Sequence, residues 1–396
     1  MKTDLGIYLH IPFCLRKCNY CDFLSFPMDE DTIDRYVTCL CREIARYDFG
    51  EEGREGNGKT AGLADSIFIG GGTPSLLSEN QVSRILQRIE EVFSIADHCE
   101  ITIEANPKTL TEKKLRGYRE IGVNRLSLGV QSMDDEILAR LGRIHRRADF
   151  LQNYQMARKA GFENINTDLM FSLPGQDEKN WERTLSQVLD LQPEHISFYG
   201  LIIEEGTPFY EEWKRGGLEE VEDETDRRIY WYTVETLTKR GYLPYEISNA
   251  AKPGFYSRHN FKYWSMDPYV GFGLGAHSYL NQKRRENTSD FKAYLNCLEG
   301  GDDGSLEEPL LHNITAENGE KEEMEEFMFL GLRKTSGVSK EEFFRRFFRS
   351  VDSIYGAVLS KNKKEGLLEE TEERIFLTRK GVDLSNYVMM QFLLEK

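Results

Sequence analysis

Six short apolar runs constrain the fold of this chain more than any other feature. They lie at residues 6–10, 66–69, 101–104, 125–129, 164–170 and 195–199. Longer stretches with helical periodicity separate them, at 31–47, 79–93, 111–121, 148–160 and 180–189. Strand–helix repetition of this kind predicts a parallel sheet with crossover helices. The expected fold class is α/β, an open, partial (β/α)6 barrel of TIM-like design.

The ends of those runs carry a second pattern. His10 leads into a cysteine loop, Ile69 into Gly70-Gly71-Gly72-Thr73-Pro74, and Ile103 into Glu104-Ala105-Asn106-Pro107. Leu128 leads into Gly129-Val130-Gln131-Ser132, and Thr167 into Asp168. In parallel βα folds the functional face lies at the strand C-termini. These motifs are therefore expected to converge on one site.

Beyond the strand–helix rhythm the pattern changes. At roughly 100–200 residues per domain, a chain of 396 residues divides into a core of 1–240, a connecting region of 241–310 and a C-terminal domain of 321–396. Residues 49–64, rich in Gly, Glu and Lys, read as a surface loop, and 300–320 as a linker. Ser339-Lys340-Glu341-Glu342 is a capping-box signature before a helical run at 343–349. A second helical stretch at 353–361 follows, then two short runs at 367–370 and 374–377 split by a polar turn. That order predicts a helical, winged-helix-like module.

Seven cysteines are an odd number, and three of them share the segment Cys14-Leu15-Arg16-Lys17-Cys18-Asn19-Tyr20-Cys21. A secreted disulfide framework spreads its cysteines in pairs, whereas a cluster in a reducing compartment more often binds metal. Three thiolates can hold three irons of a 4Fe–4S cube and leave the fourth open to a chelating ligand. Spacing alone also leaves zinc open, although structural zinc sites close with four ligands and no second cysteine pair is visible. Bacterial ferredoxin runs use C-x2-C-x2-C and a fourth cysteine before proline, which this chain lacks. Cys39, Cys41, Cys99 and Cys297 stand apart and read as small buried hydrophobes or inert thiols.

Taken together, the motifs resemble a known family. Tyr8-Leu9-His10-Ile11-Pro12-Phe13-Cys14, continuing to Cys21-Asp22-Phe23, is similar to the signature of radical S-adenosylmethionine (SAM) proteins. Its form is that of the oxygen-independent coproporphyrinogen III oxidase group. The Gly70 to Pro74 motif with Ser75-Leu76-Leu77 extends the resemblance, as do the Glu104 and Gln131 motifs. Leu141-Gly142-Arg143-Ile144-His145 and Asp168-Leu169-Met170 follow in order, and the resemblance runs from about Leu5 to the C-terminus.

It implies that Cys14, Cys18 and Cys21 ligate a 4Fe–4S cluster. It further implies that Tyr8, Tyr20, Gly71, Gly72 and Thr73 line the methionyl end of SAM. Glu104, Gln131, Arg143 and Asp168 would contact its ribose, carboxylate or amino group. The residue types suit those roles, since glycines admit close backbone approach and the planar arginine fork matches a carboxylate. An electron donor such as flavodoxin or ferredoxin would then drive SAM cleavage to a 5′-deoxyadenosyl radical.

Two subgroups share these motifs, a decarboxylating oxidase of porphyrin biosynthesis and a heme chaperone. The resemblance is nearer the chaperone in three respects. The oxidase pattern continues as C-x3-C-x2-C-x-C, and here Phe23 takes the fourth position. The oxidase also carries a longer N-terminal segment, whereas this chain starts 13 residues before Cys14. Arg258-His259-Asn260-Phe261-Lys262-Tyr263-Trp264 resembles the chaperone's H-N-x-x-Y-W motif, and the Gly271 to Ser278 segment also fits.

The implied function is to bind heme or a related porphyrin and deliver heme to respiratory apo-proteins. Coproporphyrinogen III oxidation is the alternative. A further rival is another radical SAM reaction on a tetrapyrrole, such as methyl transfer with ring opening. His259 is the candidate axial heme ligand, because a neutral imidazole can bind the iron and aromatic side chains can pack on the macrocycle. The competing reading is that His259 and Asn260 pin a loop. His10 is expected to orient the cysteine loop or the substrate, and His145 and His277 to help line the cavity.

Charge and hydropathy bound the partners. The formal net charge of −16 repels polyanions, and residues 321–396 balance 14 basic against 14 acidic side chains. The winged module thus lacks the basic footprint of a nucleic-acid reader. Its Phe343-Phe344 and Phe347-Phe348 pairs are expected to pack onto the barrel or cover an apolar ligand. No apolar run approaches the ~18 residues needed to span a bilayer, and the N-terminus has no signal-peptide pattern. The expected compartment is the cytoplasm, with transient contact at a membrane surface.

Overall fold

Each of the six apolar runs is a strand, and all six pair in parallel in sequence order. The structure, a computed structural model, describes residues 4–47, 63–299 and 311–394. The strands are β1 (Asp4–Ile11), β2 (Leu63–Gly71), β3 (Ser94–Ala105), β4 (Arg125–Gln131), β5 (Asn164–Phe171) and β6 (His195–Gly200). Helices α1 (Glu30–Arg46), α2 (Glu79–Val92), α3 (Glu112–Glu120), α4 (Asp135–Arg140), α5 (Arg147–Lys159) and α6 (Glu178–Asp190) make the crossovers. Asp29, Ser78, Thr111 and Asp177 start four of them by accepting a first-turn amide, and Ser78 completes a capping box with Gln81.

Strand β4 is buried at every position, as expected for a sheet covered on both faces. Register then sorts its residues. Glu104 lies opposite Ser127, Ser127 opposite Asn166, and Asn166 opposite His195. A polar row therefore crosses one face of the sheet. Ile103, Leu126, Leu128 and Ile165 alternate with that row and join the main hydrophobic core.

The sheet continues past six strands. β7 (Leu243–Glu246) and β8 (Asn249–Ala251) extend it antiparallel beyond β6. On the other side β9 (Tyr269–Phe272) runs parallel to β1, followed by antiparallel β10 (His277–Leu280), β11 (Lys283–Asn287) and β12 (His312–Glu317). The order is β12-β11-β10-β9-β1-β2-β3-β4-β5-β6-β8-β7. Among the described residues its two edges do not pair, so the barrel is open. Helices α7 (Pro208–Lys214) and α8 (Asp223–Lys239) follow β6, α9 (Arg258–Ser265) precedes β9, and α10 (Phe291–Glu299) follows β11. Part of the expected linker is thus a strand, β12. Residues 300–310 of that linker, and 49–62 of the expected loop, lie outside the described residues.

At the C-terminus α11 (Glu320–Gly331), α12 (Lys340–Phe347) and α13 (Val351–Lys364) pack with a small sheet. Its strands are β13 (Val338–Ser339), β14 (Leu368–Glu370) and β15 (Arg374–Leu377), in the order β13-β15-β14. Ser339 caps α12 by accepting from the Glu342 amide at 3.2 Å. Phe343 and Phe347 enter, against Phe327, a core that the module shares with Tyr269 of β9 and Tyr279 of β10. Phe344 and Phe348 are 56% and 82% exposed. Of the two expected roles, the first member of each pair thus packs toward the sheet, and none of the four lines the cavity described below. One residue's rotation along α12 carries the second phenylalanine of each pair away from the buried face.

A buried acid locks α1 to the outer strands. Glu43 accepts from Gly273 N at 2.9 Å, Asn287 Nδ2 at 2.6 Å and Tyr294 Oη at 2.6 Å. Burial pushes its carboxyl up to about 7, against the hydrogen bonds that favour the charged form. Each buried donor left without an acceptor costs about 1–3 kcal/mol. Glu43→Ala is therefore expected to lower the unfolding free energy by about 3–5 kcal/mol in a urea titration. Glu43→Gln isolates the proton. The folded pKa of about 7 lies above the ordinary 4.5, so the native state binds the proton more tightly. That contribution is fully present below the ordinary value and is lost as pH rises through the folded one. Wild type should lose stability relative to Glu43→Gln between about pH 5 and 8. A difference that does not change with pH would remove the titration from Glu43.

Candidate functional site

The cysteine loop leaves β1 at Pro12 and is clamped along its length. Cys14 N donates to Phe26 O at 3.1 Å and Phe26 N to Pro12 O at 2.9 Å, which closes the base. Asn19 N donates to Leu141 O and Asn19 Nδ2 to Arg140 O, both at 2.9 Å. The middle of the loop is thereby tied to carbonyls at the end of α4, which the helix cannot satisfy itself. His10 pins the return path, with Nε2 on Leu24 O at 2.9 Å and Nδ1 3.0 Å from Tyr8 Oη. Gly71 has φ +111°, and a Cβ there would lie 2.7 Å from the His10 ring, so only glycine fits.

Beside the loop, at the C-terminal ends of the parallel strands, lies a cavity of about 440 Å³. Cys14, Cys18, Tyr20, Cys21, Gly71, Gly72, Thr73, Glu104, Gln131, Arg143 and Asp168 all line it. The expected convergence of the strand-end motifs is therefore present. Asn106, Ser127 and Tyr199 line it as well. Asn106 sits inside the Glu104 to Pro107 motif, where it could have been singled out. Ser127 and Tyr199 belong to no motif, and only the sheet register reveals them.

Two candidates lie elsewhere. Tyr8 is not on the cavity wall; its hydroxyl meets His10 and its ring stacks on Phe68 at 6.3 Å. His259 is 1% exposed. Its Nδ1 is 3.1 Å from Ser66 Oγ, its Nε2 is 2.9 Å from Tyr263 Oη, and its ring stacks on Phe68 at 5.3 Å. Burial first, then the neighbouring Lys262 and Arg125, lowers its pKa to about 3. An axial ligand needs a free ring nitrogen, and both are occupied here. The geometry matches the pinning reading. Ser257 caps α9 through the Asn260 amide at 3.4 Å, and Trp264 packs against the Arg333 guanidinium at 4.3 Å. The motif thus joins the sheet to the C-terminal module. His145 is buried and His277 pairs with Glu286 at 3.9 Å; neither lines the cavity.

Arg143 organises the thiol side of the cavity. Its Nη2 donates to Asn106 Oδ1 and Gly129 O, and its Nη1 lies 3.7 Å from Cys18 Sγ. Asn106 Nδ2 in turn donates to Thr73 Oγ1 at 2.8 Å, and that hydroxyl is 3.3 Å from Cys14 Sγ. One guanidinium is therefore connected to two of the three thiols. A Cβ on Gly129 would sit 2.9 Å from Asn106 Oδ1 and 3.2 Å from Arg143 Nη2, so the chain of contacts requires glycine there. Burial pushes the Cys21 thiol up to about 11. Coordination to a metal would deprotonate it.

The opposite side is acidic. Glu104 Oε2 accepts from Gly71 N at 3.1 Å. Asp168 accepts from Asn166 Nδ2 at 2.7 Å and Ser127 Oγ at 3.2 Å. Burial, then the charge of Asp168, pushes Glu104 up to about 8, and burial raises Asp168. Gln131 adopts φ +65° at a register shift between β4 and β5, a left-handed conformation costly for a residue with a side chain. Its Oε1 is buried without a partner, as is Arg143 Nε. Orphaned buried polar atoms on a cavity wall point to a ligand that satisfies them.

The donor set fits a cluster with an amino-acid-like ligand. The three cysteines are free of disulfides. Among the described residues no three His, Cys, Asp or Glu side chains close on a single ion, as a structural zinc requires. Thiolates that each take a different iron need not converge on one point.

Comparison with known proteins agrees with this geometry. Residues 8–188 match the Radical SAM superfamily and 320–384 the HemN C-terminal domain. The chain is 39% identical over 387 residues to heme chaperone HemW of Bacillus subtilis (strain 168), covering 98% of each. It is 36% identical over 395 residues to heme chaperone HemW of Lactococcus lactis subsp. lactis (strain IL1403), covering 100% of this chain and 99% of that one. Among solved structures it is similar to coproporphyrinogen III oxidase (HemN) from Escherichia coli, a radical SAM enzyme. The TM-score there is 0.81 at 22% identity, covering 99% of this chain and 90% of that chain. At that identity the likeness speaks to fold alone. An identity of 36–39% along the whole length speaks to family: the chain belongs to the heme chaperone HemW family of radical SAM proteins.

Proposed function

We propose that this protein binds heme and hands it to respiratory apo-proteins. The observation that carries the reading is the match, along 98% of both chains, to a relative named as a heme chaperone. The site adds one point of geometry. Phe23 lines the cavity at the position where the oxidase pattern has a fourth cysteine. In this reading Cys14, Cys18 and Cys21 hold a 4Fe–4S cluster, which together with SAM supplies one-electron chemistry when bound.

The chain's own groups do the positioning. Arg143 would receive the carboxylate of SAM, Gln131 Oε1, Glu104 and Asp168 its ribose hydroxyls or ammonium, and Tyr20 and the turn Gly71-Gly72-Thr73 its methionyl end. Tyr8 acts through His10 on the loop rather than on the ligand. Arg143 offsets negative charge on the thiolates. The electron donor is a small redox protein such as flavodoxin or ferredoxin. We place the protein in the cytoplasm, meeting its recipients at a membrane surface. Among the described residues no helix is long and apolar enough to cross a membrane.

The test is anoxic. Cluster-loaded protein, SAM, reductant and coproporphyrinogen III are incubated, and the products are separated by chromatography. The porphyrinogen should survive, and heme-loaded protein should pass its heme to an apo-cytochrome, read from the Soret band. A vinyl-bearing porphyrin product would make the protein an oxidase. SAM-dependent bleaching of the Soret band would make it a tetrapyrrole-modifying enzyme.

A further inference from the structure

We propose that heme lies across the mouth of the cysteine-loop cavity, one face on Phe23 and Ile202 and its propionates toward Arg16 and Lys17. This placement rests on the heme-chaperone reading above. Space sets the first limit. Ligand pockets span roughly 300–1,000 Å³, and this cavity of about 440 Å³ holds one such ligand. The thiols, Arg143 and the two buried acids already commit the interior to cluster and SAM. A flat macrocycle must therefore sit outside them, at the mouth.

The chemistry of the rim suits such a ligand. Phe23 and Ile202 both line the cavity, yet they are 62% and 70% exposed. One comes from the cysteine loop and the other from the segment after β6. Single exposed apolar side chains are ordinary, but two from separate segments at one cavity rim make an apolar surface that calls for a partner. Arg16 and Lys17 line the same rim and are exposed. Lys17 Nζ donates to Phe23 O at 2.9 Å, which fixes the loop that carries the phenylalanine. Among the described residues Arg16 forms no ion pair. Asp22 and Glu204 also line the rim, so the propionates are directed to the Arg16 side. A flat apolar face with carboxylates along one edge matches this pattern.

Release adds a requirement. No histidine lines the cavity, and both nitrogens of His259 are hydrogen-bonded in the core. Heme on this rim is held by face packing and edge charges, without a histidine bond to iron. That suits a cargo which has to leave.

The test is a hemin titration of the cluster-loaded, SAM-bound protein, followed at the Soret band. Phe23→Ser with Ile202→Ser should weaken hemin binding by about tenfold or more. Arg16→Glu should weaken it by about threefold to tenfold, and the gap should close at high salt. Both changes are on exposed side chains, and the iron–sulfur absorbance reports whether the fold survives. Phe348→Ser, at the most exposed aromatic of the C-terminal module, should leave hemin affinity unchanged. Hemin binding by the rim variant at wild-type affinity would overturn the mouth site and leave the chaperone reading standing. Loss of affinity in Phe348→Ser alone would move the site to the C-terminal module. A wild-type protein that takes up no hemin would overturn both readings.

Discussion

Replacing Cys18 with serine should abolish the iron–sulfur absorbance and reduce bound iron and sulfide to background, while the chain stays folded. The three loop thiols are the whole thiolate set at the site. The other cysteines sit in α1 (Cys39 and Cys41), β3 (Cys99) and α10 (Cys297), and none lines the cavity. No thiol can therefore substitute. A serine hydroxyl does not ionise in this range and is a poor ligand for iron held by soft thiolates. Protein contacts also hold the loop, through Asn19 on α4, His10 on Leu24 and the hydrogen bond from Cys14 N to Phe26 O. Circular dichroism and the thermal midpoint should thus move little. Cys99→Ser should keep the full cluster. A Cys18→Ser protein with wild-type iron and sulfide would remove the loop from the cluster site.

The core of this architecture is legible in sequence for a physical reason. Strands that are buried on both faces yet line a polar cavity must alternate, and Arg125-Leu126-Ser127-Leu128-Gly129 shows that alternation openly. Helices α1, α2, α3 and α6 announce themselves by Asp29, Ser78, Thr111 and Asp177. Strand β11 does not. Lys283-Arg284-Arg285-Glu286-Asn287 reads as a charged turn, and it is a strand because β10 and β12 flank it. Lys283 pairs across to Glu317 at 3.0 Å, and Arg284 lies over the Tyr279 ring at 4.8 Å. Tyr279 lies near, across the tight β10–β11 turn, but Glu317 and β12 are distant in sequence, so a local window holds only half of the signal. The site shows the same division. Motifs at strand ends name the wall of the cavity, but which side chains touch depends on register. The path from Arg143 through Asn106 and Thr73 to Cys14 joins four segments. For His259 residue type suggests chemistry, whereas its burial and the hydrogen bonds of both ring nitrogens to Ser66 and Tyr263 come only from the packing of α9 on the sheet.

Arg143→Met should weaken SAM binding to the cluster-loaded protein by about tenfold to a hundredfold. Hydrogen bonds to charged groups contribute about 1.5–3 kcal/mol each. The loss of the one such bond that the unpartnered Nε–H can give the ligand carboxylate corresponds to about tenfold to a hundredfold in affinity. The native bonds explain why the guanidinium is available. Nη2 is held by Asn106 Oδ1 and Gly129 O, Nη1 reaches Cys18 Sγ, and Nε is buried without a partner. The fork is thus preorganised, with a donor left over. Lysine cannot reproduce it, because one ammonium cannot meet Asn106, Gly129 and Cys18 together. Arg143→Lys should therefore recover only a small part of the affinity. A second readout separates this role from a packing role. Removing a cation beside Cys18 makes the cluster harder to reduce, so its reduction potential should fall in Arg143→Met and return in Arg143→Lys. Calorimetry under nitrogen gives the affinity, and a redox titration gives the potential. Wild-type SAM affinity in Arg143→Met would show that the guanidinium serves only the hydrogen-bonded path to Cys14 and Cys18.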